Sequence, residues 1–366
     1  MKLVSGDRIF FMLVLGIVLA GLAIFSSAAL GLLARESSSV SQDILLQAGL
    51  GFGLGFLALL AARAFPFEHL KRFAPYLYLA TIALTAAVFI PGIGLRANGA
   101  TRWIDLGWTT VQPAEFLKIG FVLALAWWLA PRARALAEPK KGIIPFGAIL
   151  VVPTFLLLAQ PNTSMAVLII ATGVVMYFAA GAPWRDFGII AVVVAVAFFI
   201  IISLRPYAIE RIKTFFDPSA NSLGSGYQIQ QSLIAIGSGG LLGRGFGQSV
   251  EKFNYLPEPS GDSVFAVFAE ETGFVGASAL LLLFVALAAR GIVIAGNSSE
   301  LFGGLIALGF SFILILQAFV NISAMIGIIP LTGLPLPFIS HGGTALMAAL
   351  IMCGFILNVA ARRKSA

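Results

Sequence analysis

The chain has 366 residues, of which 59% are hydrophobic and only 11% charged, with a mean hydropathy of +1.00. This composition excludes a soluble globular domain and, despite a pI of 9.8, a nucleic-acid-binding module, and it places the chain among polytopic membrane proteins. A single cysteine, Cys353, excludes an intrachain disulfide.

The first apolar run, 9–33, follows MKLVSGDR and is too long for a signal-peptide core, so it reads as a retained span. Nine more runs follow at 44–63, 74–94, 114–130, 143–160, 164–181, 187–204, 263–289, 301–325 and 342–361. Runs near 20 residues cross a bilayer as helices, which satisfy their own backbone groups. The expected fold is therefore an all-α polytopic membrane protein of about ten transmembrane helices, one domain over 1–366. One large extracytoplasmic loop, about 205–262, separates helices 7 and 8. No internal repeat is visible. With ten spans both termini share one side, and that side carries 14 basic residues against five acids. The positive-inside rule places it in the cytoplasm.

The candidate residues then fall on the outward side. In the loop NGATRWIDLGW, Arg96 and Arg102 can contact phosphate or lipid headgroups, or simply be solvated. Trp103 and Trp108 read as interfacial anchors, as do Trp127, Trp128 and Trp184 on the other side. Gln112-Pro113 opens the next helix. There Glu115 and Lys118 share a face at i, i+3 spacing, as a structural ion pair or as a pair that meets an anionic substrate group from an outward cavity. The glycine run 237–247 fits no nucleotide-binding pattern and suits tight turns or close backbone approach. The segment Tyr227–Ile236 reads as interfacial. Two distant histidines and one cysteine argue against a zinc site.

Five of the sixteen acids, Glu251, Glu258, Asp262, Glu270 and Glu271, fall within 251–271. Asp262 stands where the long loop gives way to an apolar run, behind Pro257 and Pro259. It is either the N-cap of the next helix or a carboxylate held for chemistry. The last outward loop, GIIPLTGLPLPFISHGG, is apolar and proline-rich, as expected of a groove-lining segment.

The pieces NGATRWIDLG, QPAEFLKI, YQIQQSLIAIGSGGLLGRGFGQSVEKFNYLPE, Asp262 followed by FAVFAEETG, and GLPLPFIS-GG resemble, in order, the SEDS family of shape, elongation, division and sporulation proteins. The glycine-rich piece and QPAE are more similar to the FtsW branch than to the RodA branch. The resemblance implies a ten-helix peptidoglycan glycosyltransferase. It would polymerise lipid II, an undecaprenyl-diphosphate-linked disaccharide-pentapeptide, at the outer face of the bacterial cytoplasmic membrane. Septal synthesis is implied, with elongation-type polymerisation, lipid II flipping or a scaffolding role as alternatives. The implied partners are a class B penicillin-binding protein and other divisome or elongasome membrane proteins. The family's essential aspartate falls on Asp262 and its membrane-embedded pair on Glu115 and Lys118. Glu258 stays in place in EPSGD, and with Arg102 it completes the implied substrate-binding set. The residues establish no cofactor, and a divalent cation (Mg or Mn) is the candidate. Two positions depart from the family: Asn162 stands for the usual acid and His341 for the usual tyrosine.

Overall fold

The computed structural model of the protein describes residues 7–33, 47–97, 100–107, 109–204, 206–217 and 224–362. Ten apolar helical segments stand where ten spans are expected. They begin with α1 (Arg8–Leu33), α2 (Gly55–Ala64, entered through a π-helical stretch Gln47–Leu54) and α3 (Phe67–Ala86). Next come α4 (Pro113–Leu129), α5 (Ile143–Ala159), α6 (Thr163–Ala179) and α7 (Trp184–Leu204). Three shorter helices follow: α8 (Pro206–Phe216), α9 (Ser225–Ser238) and α10 (Glu251–Asn254). The last spans are α11 (Val264–Gly296), α12 (Leu301–Met325) and α13 (Gly343–Ala360). Of these, α1, α3, α4, α11, α12 and α13 are long and apolar enough to cross a membrane, and α2, α5 and α6 are shorter apolar helices. The protein is a polytopic helical membrane protein.

The centre of the bundle is α4. Nearly all its side chains are buried, Glu115 and Lys118 included, as expected of a helix enclosed by other helices. It packs on α3, α6 and α12, while α2 packs on α13, and α11 on α1 and α12. The first turn of α1 is tied to α11 by Arg290, whose Nε lies 2.9 Å and Nη2 2.6 Å from Asp7 Oδ2. Glu68, Lys71, Glu138, Lys141, Arg185, Asp186 and Glu300 also form ion pairs at the end of the bundle that the charge bias assigns to the cytoplasm. There α7 is anchored by Tyr177, whose hydroxyl donates to Asp186 Oδ2 at 2.7 Å. Otherwise α7 packs mainly on the short α8.

Several sequence expectations shift. The third span starts at Phe67, earlier than 74, because the polar turn FEHLKR joins the helix. Trp128 is buried in the core, so it is no lipid-facing anchor. Trp108, residues 44–46 and Arg205 lie outside the described residues. The stretch 205–262 is no open loop, since it carries α8, α9 and α10. The loop after α3 folds into a small antiparallel sheet of β1 (Gly94–Ala97), β2 (Ala100–Asp105) and β3 (Thr110–Val111). In it Ala97 pairs with Ala100, and Ile104 with Val111.

The glycine run does approach backbone closely, but the backbone belongs to α11. Gly273 breaks α11 with φ 66° and ψ −167°. Loop 239–247 completes the broken ends. Arg244 N and Gly245 N donate to Glu270 O and Glu271 O, both at 3.0 Å. Phe274 N and Val275 N donate to Gly240 O at 2.9 Å and Leu241 O at 3.1 Å. A β-carbon at Gly243 would stand 2.1 Å from Glu271 O, which no side chain tolerates.

Candidate functional site

A cavity of about 550 Å³ opens at the end of the bundle opposite the ion-paired termini. Its walls come from β2 and the described residues between it and α4, from Asn162 and the first turn of α6, from α8, from Gln47, and from the loops 258–262 and 333–345. Asp262, Glu258 and Arg102 all line it. So do Asn162, His341, Asp105 and Arg211. Trp103 is on this wall as well.

Asp262 does not cap α11. The cap position is Ser263, whose Oγ instead accepts from Gln228 Nε2 on α9 at 2.9 Å. Among the described residues no hydrogen bond reaches the Asp262 carboxylate, while its backbone is held on several sides. Asn321 Nδ2 on α12 donates to Asp262 O at 2.9 Å. Ser340 Oγ donates to Gly261 O at 2.8 Å and His341 N to Ser260 O at 2.6 Å. The backbone that carries the side chain is thus held in place at the cavity wall. Burial pushes its pKa up from 3.8 to about 6, Glu258 adds to the rise, and Arg211 and Arg102 oppose it. Glu258 itself has a left-handed backbone, φ 48°, uncommon outside glycine.

Arg102 reaches the cavity wall but spends hydrogen bonds on the neighbouring turn. Its Nε donates to Gln160 O at 3.2 Å and its Nη2 to Pro161 O. This delivers Asn162 to the wall. Asn162 holds the N-cap position of α6 without making a side-chain cap, and its Nδ2 is enclosed with no partner. The His341 ring stacks on Phe25, centroids 6.0 Å apart.

Glu115 and Lys118 are placed differently from expectation. They form an ion pair at 2.7 Å with both side chains 1% exposed, and they do not line the outward cavity. They border a separate enclosed void of about 10 Å³, room for no more than about one water. Burial inside α4 removes the expected outward access. The pair instead supports the cavity from behind: Lys118 Nζ donates to Gln317 Oε1 at 2.7 Å, and Gln317 Nε2 to the cavity-lining Pro335 O at 2.9 Å.

Arg211 was legible but missed. Pro206 opens α8, and Ile209, Ile212 and Phe216 follow helical spacing, a pattern hidden by treating the whole stretch as loop. The loop 327–343 does line the cavity, as expected.

Glu270 and Glu271 lie away from the cavity in a closed polar cluster. Lys252 Nζ, fully buried, donates to Glu271 Oε1 at 2.6 Å, and Ser27 Oγ on α1 donates to both Glu271 oxygens. Glu270 accepts from Ser249 Oγ at 2.5 Å and Val250 N at 3.1 Å, with Arg244 Nη1 at 3.5 Å. Glu251 stands at its edge, its pKa raised by burial and then by Glu270.

The cell cycle protein family of FtsW, RodA and SpoVE matches residues 7–365. Stage V sporulation protein E of Bacillus subtilis is 36% identical over 84% of this chain and 84% of its own. A probable peptidoglycan glycosyltransferase FtsW of Aromatoleum aromaticum is 35% identical over 94% of this chain and 85% of its own. Among solved structures, a chain from a peptidoglycan synthase complex that coordinates polymerization and crosslinking superposes with a TM-score of 0.78 at 30% identity, covering 97% of this chain and 98% of that one. With the profile matched across almost its whole length, this chain belongs to the FtsW/RodA/SpoVE family of cell cycle proteins.

Proposed function

We propose that the protein is a peptidoglycan glycosyltransferase that polymerises lipid II, with Asp262 as the general base. The observation that carries this is the Asp262 carboxylate: fixed by its backbone, free of any capping role, and facing a charged cavity. The likeness to relatives named for this activity supports it.

The reaction is glycosyl transfer from a lipid diphosphate to a sugar hydroxyl. Such a hydroxyl is a weak nucleophile at neutral pH, and a positioned base contributes about 10²- to 10⁴-fold. Asp262 accepts the hydroxyl proton as the oxygen attacks the anomeric carbon. A carboxylate poised near neutrality is suited to this, and Glu258 helps to hold it there. The cavity guanidinium groups meet the negative charge that develops on the diphosphate. Glu115 and Lys118 act as positioning residues through Gln317 and Pro335. No three metal-ligating side chains converge among the described residues.

Asp262→Asn is the test. Asn preserves size, so the purified variant is expected to fold and to lose about 10²- to 10⁴-fold in polymer formation from lipid II. A stable variant that polymerises at more than about a tenth of the wild-type rate overturns the base role.

The proposal places a single membrane domain with both termini in the cytoplasm and the cavity outside, supported by the charge bias. Cysteines at Ser225 and Ala137, in a Cys353→Ser background, are expected to label from opposite sides of sealed cells; labelling of both from outside overturns it. A class B penicillin-binding protein is the proposed partner, supported by the synthase complex, and failure to co-purify with any such protein from the same cells removes that part. Septal synthesis is supported by the likeness to FtsW proteins. A functional fluorescent fusion confined to the side wall would remove that role.

A further inference from the structure

A second pocket, of about 410 Å³, lies back to back with the cavity and shares no lining residue with it. The wall between them is β2 and the turn 160–162. Thr101, Gln160 and Pro161 line the second pocket, and Trp103, Asp105 and Asn162 line the cavity. Arg102 ties this wall together through the carbonyls of Gln160 and Pro161. The division follows from the register of the hairpin. Leu95 pairs with Trp103 and Arg96 with Thr101, so β2 carries one residue more than β1 between these pairs. Such a bulge re-aims the side chains around it. Arg96 and Thr101, direct partners across the strands, stand on one face, and both line the second pocket.

The chemistry of this pocket differs from that of the cavity. No acid lines it, whereas Asp105, Glu258 and Asp262 line the cavity. Arg96 is exposed, and among the described residues no hydrogen bond or ion pair engages its guanidinium or the Thr101 hydroxyl. Much of the remaining lining is apolar: Phe89, Ile90 and Pro91 just beyond α3, and Ala159 at the end of α5. Phe89 and Ile90 are exposed. On α5, Phe155 is exposed one turn before Ala159 and on the same face. A ligand held here meets a cation and a hydroxyl at one end and the apolar surface of two helices at the other.

We propose that this pocket binds the phosphate headgroup of an anionic glycerophospholipid from the outer leaflet. The Arg96 guanidinium and the Thr101 hydroxyl donate to the phosphate oxygens. The acyl chains lie on Phe89, Ile90 and the Phe155 face of α5. With no acid in the lining, nothing there meets a headgroup ammonium, so phosphatidylglycerol fits better than a zwitterionic lipid. The wall sets the pocket apart from Asp262. On the glycosyl-transfer reading, a polyprenyl diphosphate whose sugar reacts at Asp262 keeps its phosphates in the cavity and leaves this pocket to bulk lipid.

The test is native mass spectrometry of the purified full-length protein in detergent, titrated with phosphatidylglycerol or phosphatidylcholine. Wild type is expected to bind phosphatidylglycerol more tightly. Arg96→Gln is expected to lower that affinity about 10- to 100-fold, the range for one hydrogen bond to a charged group. Thr101→Val, which keeps size and suits a strand, is expected to lower it about two- to tenfold. Lys140→Gln, at an exposed cation before the start of α5, is expected to leave it unchanged. Asp262→Asn is also expected to bind phosphatidylglycerol as wild type does, so a failure of the base role and a failure of the lipid site are told apart. Equal binding of the two lipids by wild type, or wild-type phosphatidylglycerol affinity in a folded Arg96→Gln protein, overturns the proposal. Undecaprenyl phosphate that displaces phosphatidylglycerol more readily than phosphatidylglycerol itself does assigns the pocket to the polyprenyl chain and also overturns it. If Arg96→Gln does not fold, Thr101→Val decides: a folded Thr101→Val protein with wild-type affinity overturns the proposal.

Discussion

Asp262 and the pair Glu270 and Glu271 share a sequence neighbourhood and little else. Glu270 and Glu271 are buried and saturated: Lys252, Ser27, Ser249 and backbone amides point at their oxygens. Asp262 has a backbone carbonyl held by Asn321 and a carboxylate that no donor among the described residues reaches. Burial of a charge is costly unless it is paired. The pair meets that cost with partners and so fixes α10 and loop 239–247 to α11 and α1. Asp262 leaves it unmet, and the result is a carboxylate with its pKa raised to about 6 on the wall of a cavity. Saturation goes with acids that tie elements together, and the lack of it with the acid proposed as the base.

The largest effect expected from breaking this contrast is on the saturated side. Lys252→Met leaves Glu271 buried with one cation fewer. Loss of one partner of a buried pair costs about 3–5 kcal/mol. A thermal melt should show a large drop, with activity lost through unfolding; a normal melt would mean that the cluster does not hold the loop. Lys118→Met tests the pair behind the cavity. It removes both the ion pair and the link through Gln317 to Pro335. A displaced wall is expected to cost about 10²-fold in polymer rate, with some stability lost as Glu115 goes unpaired. A stable and fully active Lys118→Met protein would break the positioning role.

The smallest effect sharpens the contrast by its sign. The Asp262 pKa is higher in the fold than the unfolded value of 3.8, so the fold favours the protonated form. Ionisation therefore costs stability as pH rises from 3.8 through about 6, and the cost is fully present above that. Asp262→Asn removes it. The variant is expected to melt slightly above wild type at pH 8, with the difference vanishing toward pH 4. The wild-type polymer rate runs the other way and falls as pH drops below about 6. A variant that melts lower than wild type at pH 8 would show that the carboxylate is stabilising after all.

Much of this was legible in the residues. Apolar runs marked all ten spans because lipid leaves a helix few alternatives. The i, i+3 spacing of Glu115 and Lys118 announced their pairing, but which neighbours would enclose α4 depends on packing that spacing does not carry. The small sheet had a local signal in Asn98-Gly99, a strong hairpin dipeptide, between strands too short to read as alternating. Most of α9 was visible as the apolar-patterned piece Tyr227–Ile236, whereas α8 was obscured by the polar stretch around it. Asp262 stood out in sequence, yet only coordinates could separate a helix cap from a free carboxylate. The partners that hold it and its two chain neighbours, Asn321 on Asp262, Ser340 on Gly261 and Gln228 on Ser263, come from three distant segments.

The break at Gly273 has a consequence for how the chain assembles. The carbonyls that end the outer piece of α11 and the amides that begin the inner piece are both completed by residues 240–245. Helix ends normally need caps drawn from their own flanks or from water. Here one strip of backbone closes both, so neither end is finished until the strip has returned from the outer side and docked. The inner piece is long enough to cross the bilayer alone and can insert as it is made. The outer piece, with Asp262 at its head, can only be completed afterwards. Docking of the strip therefore completes the segment that carries Asp262, and any opening of the strip is expected to open the outer piece with it.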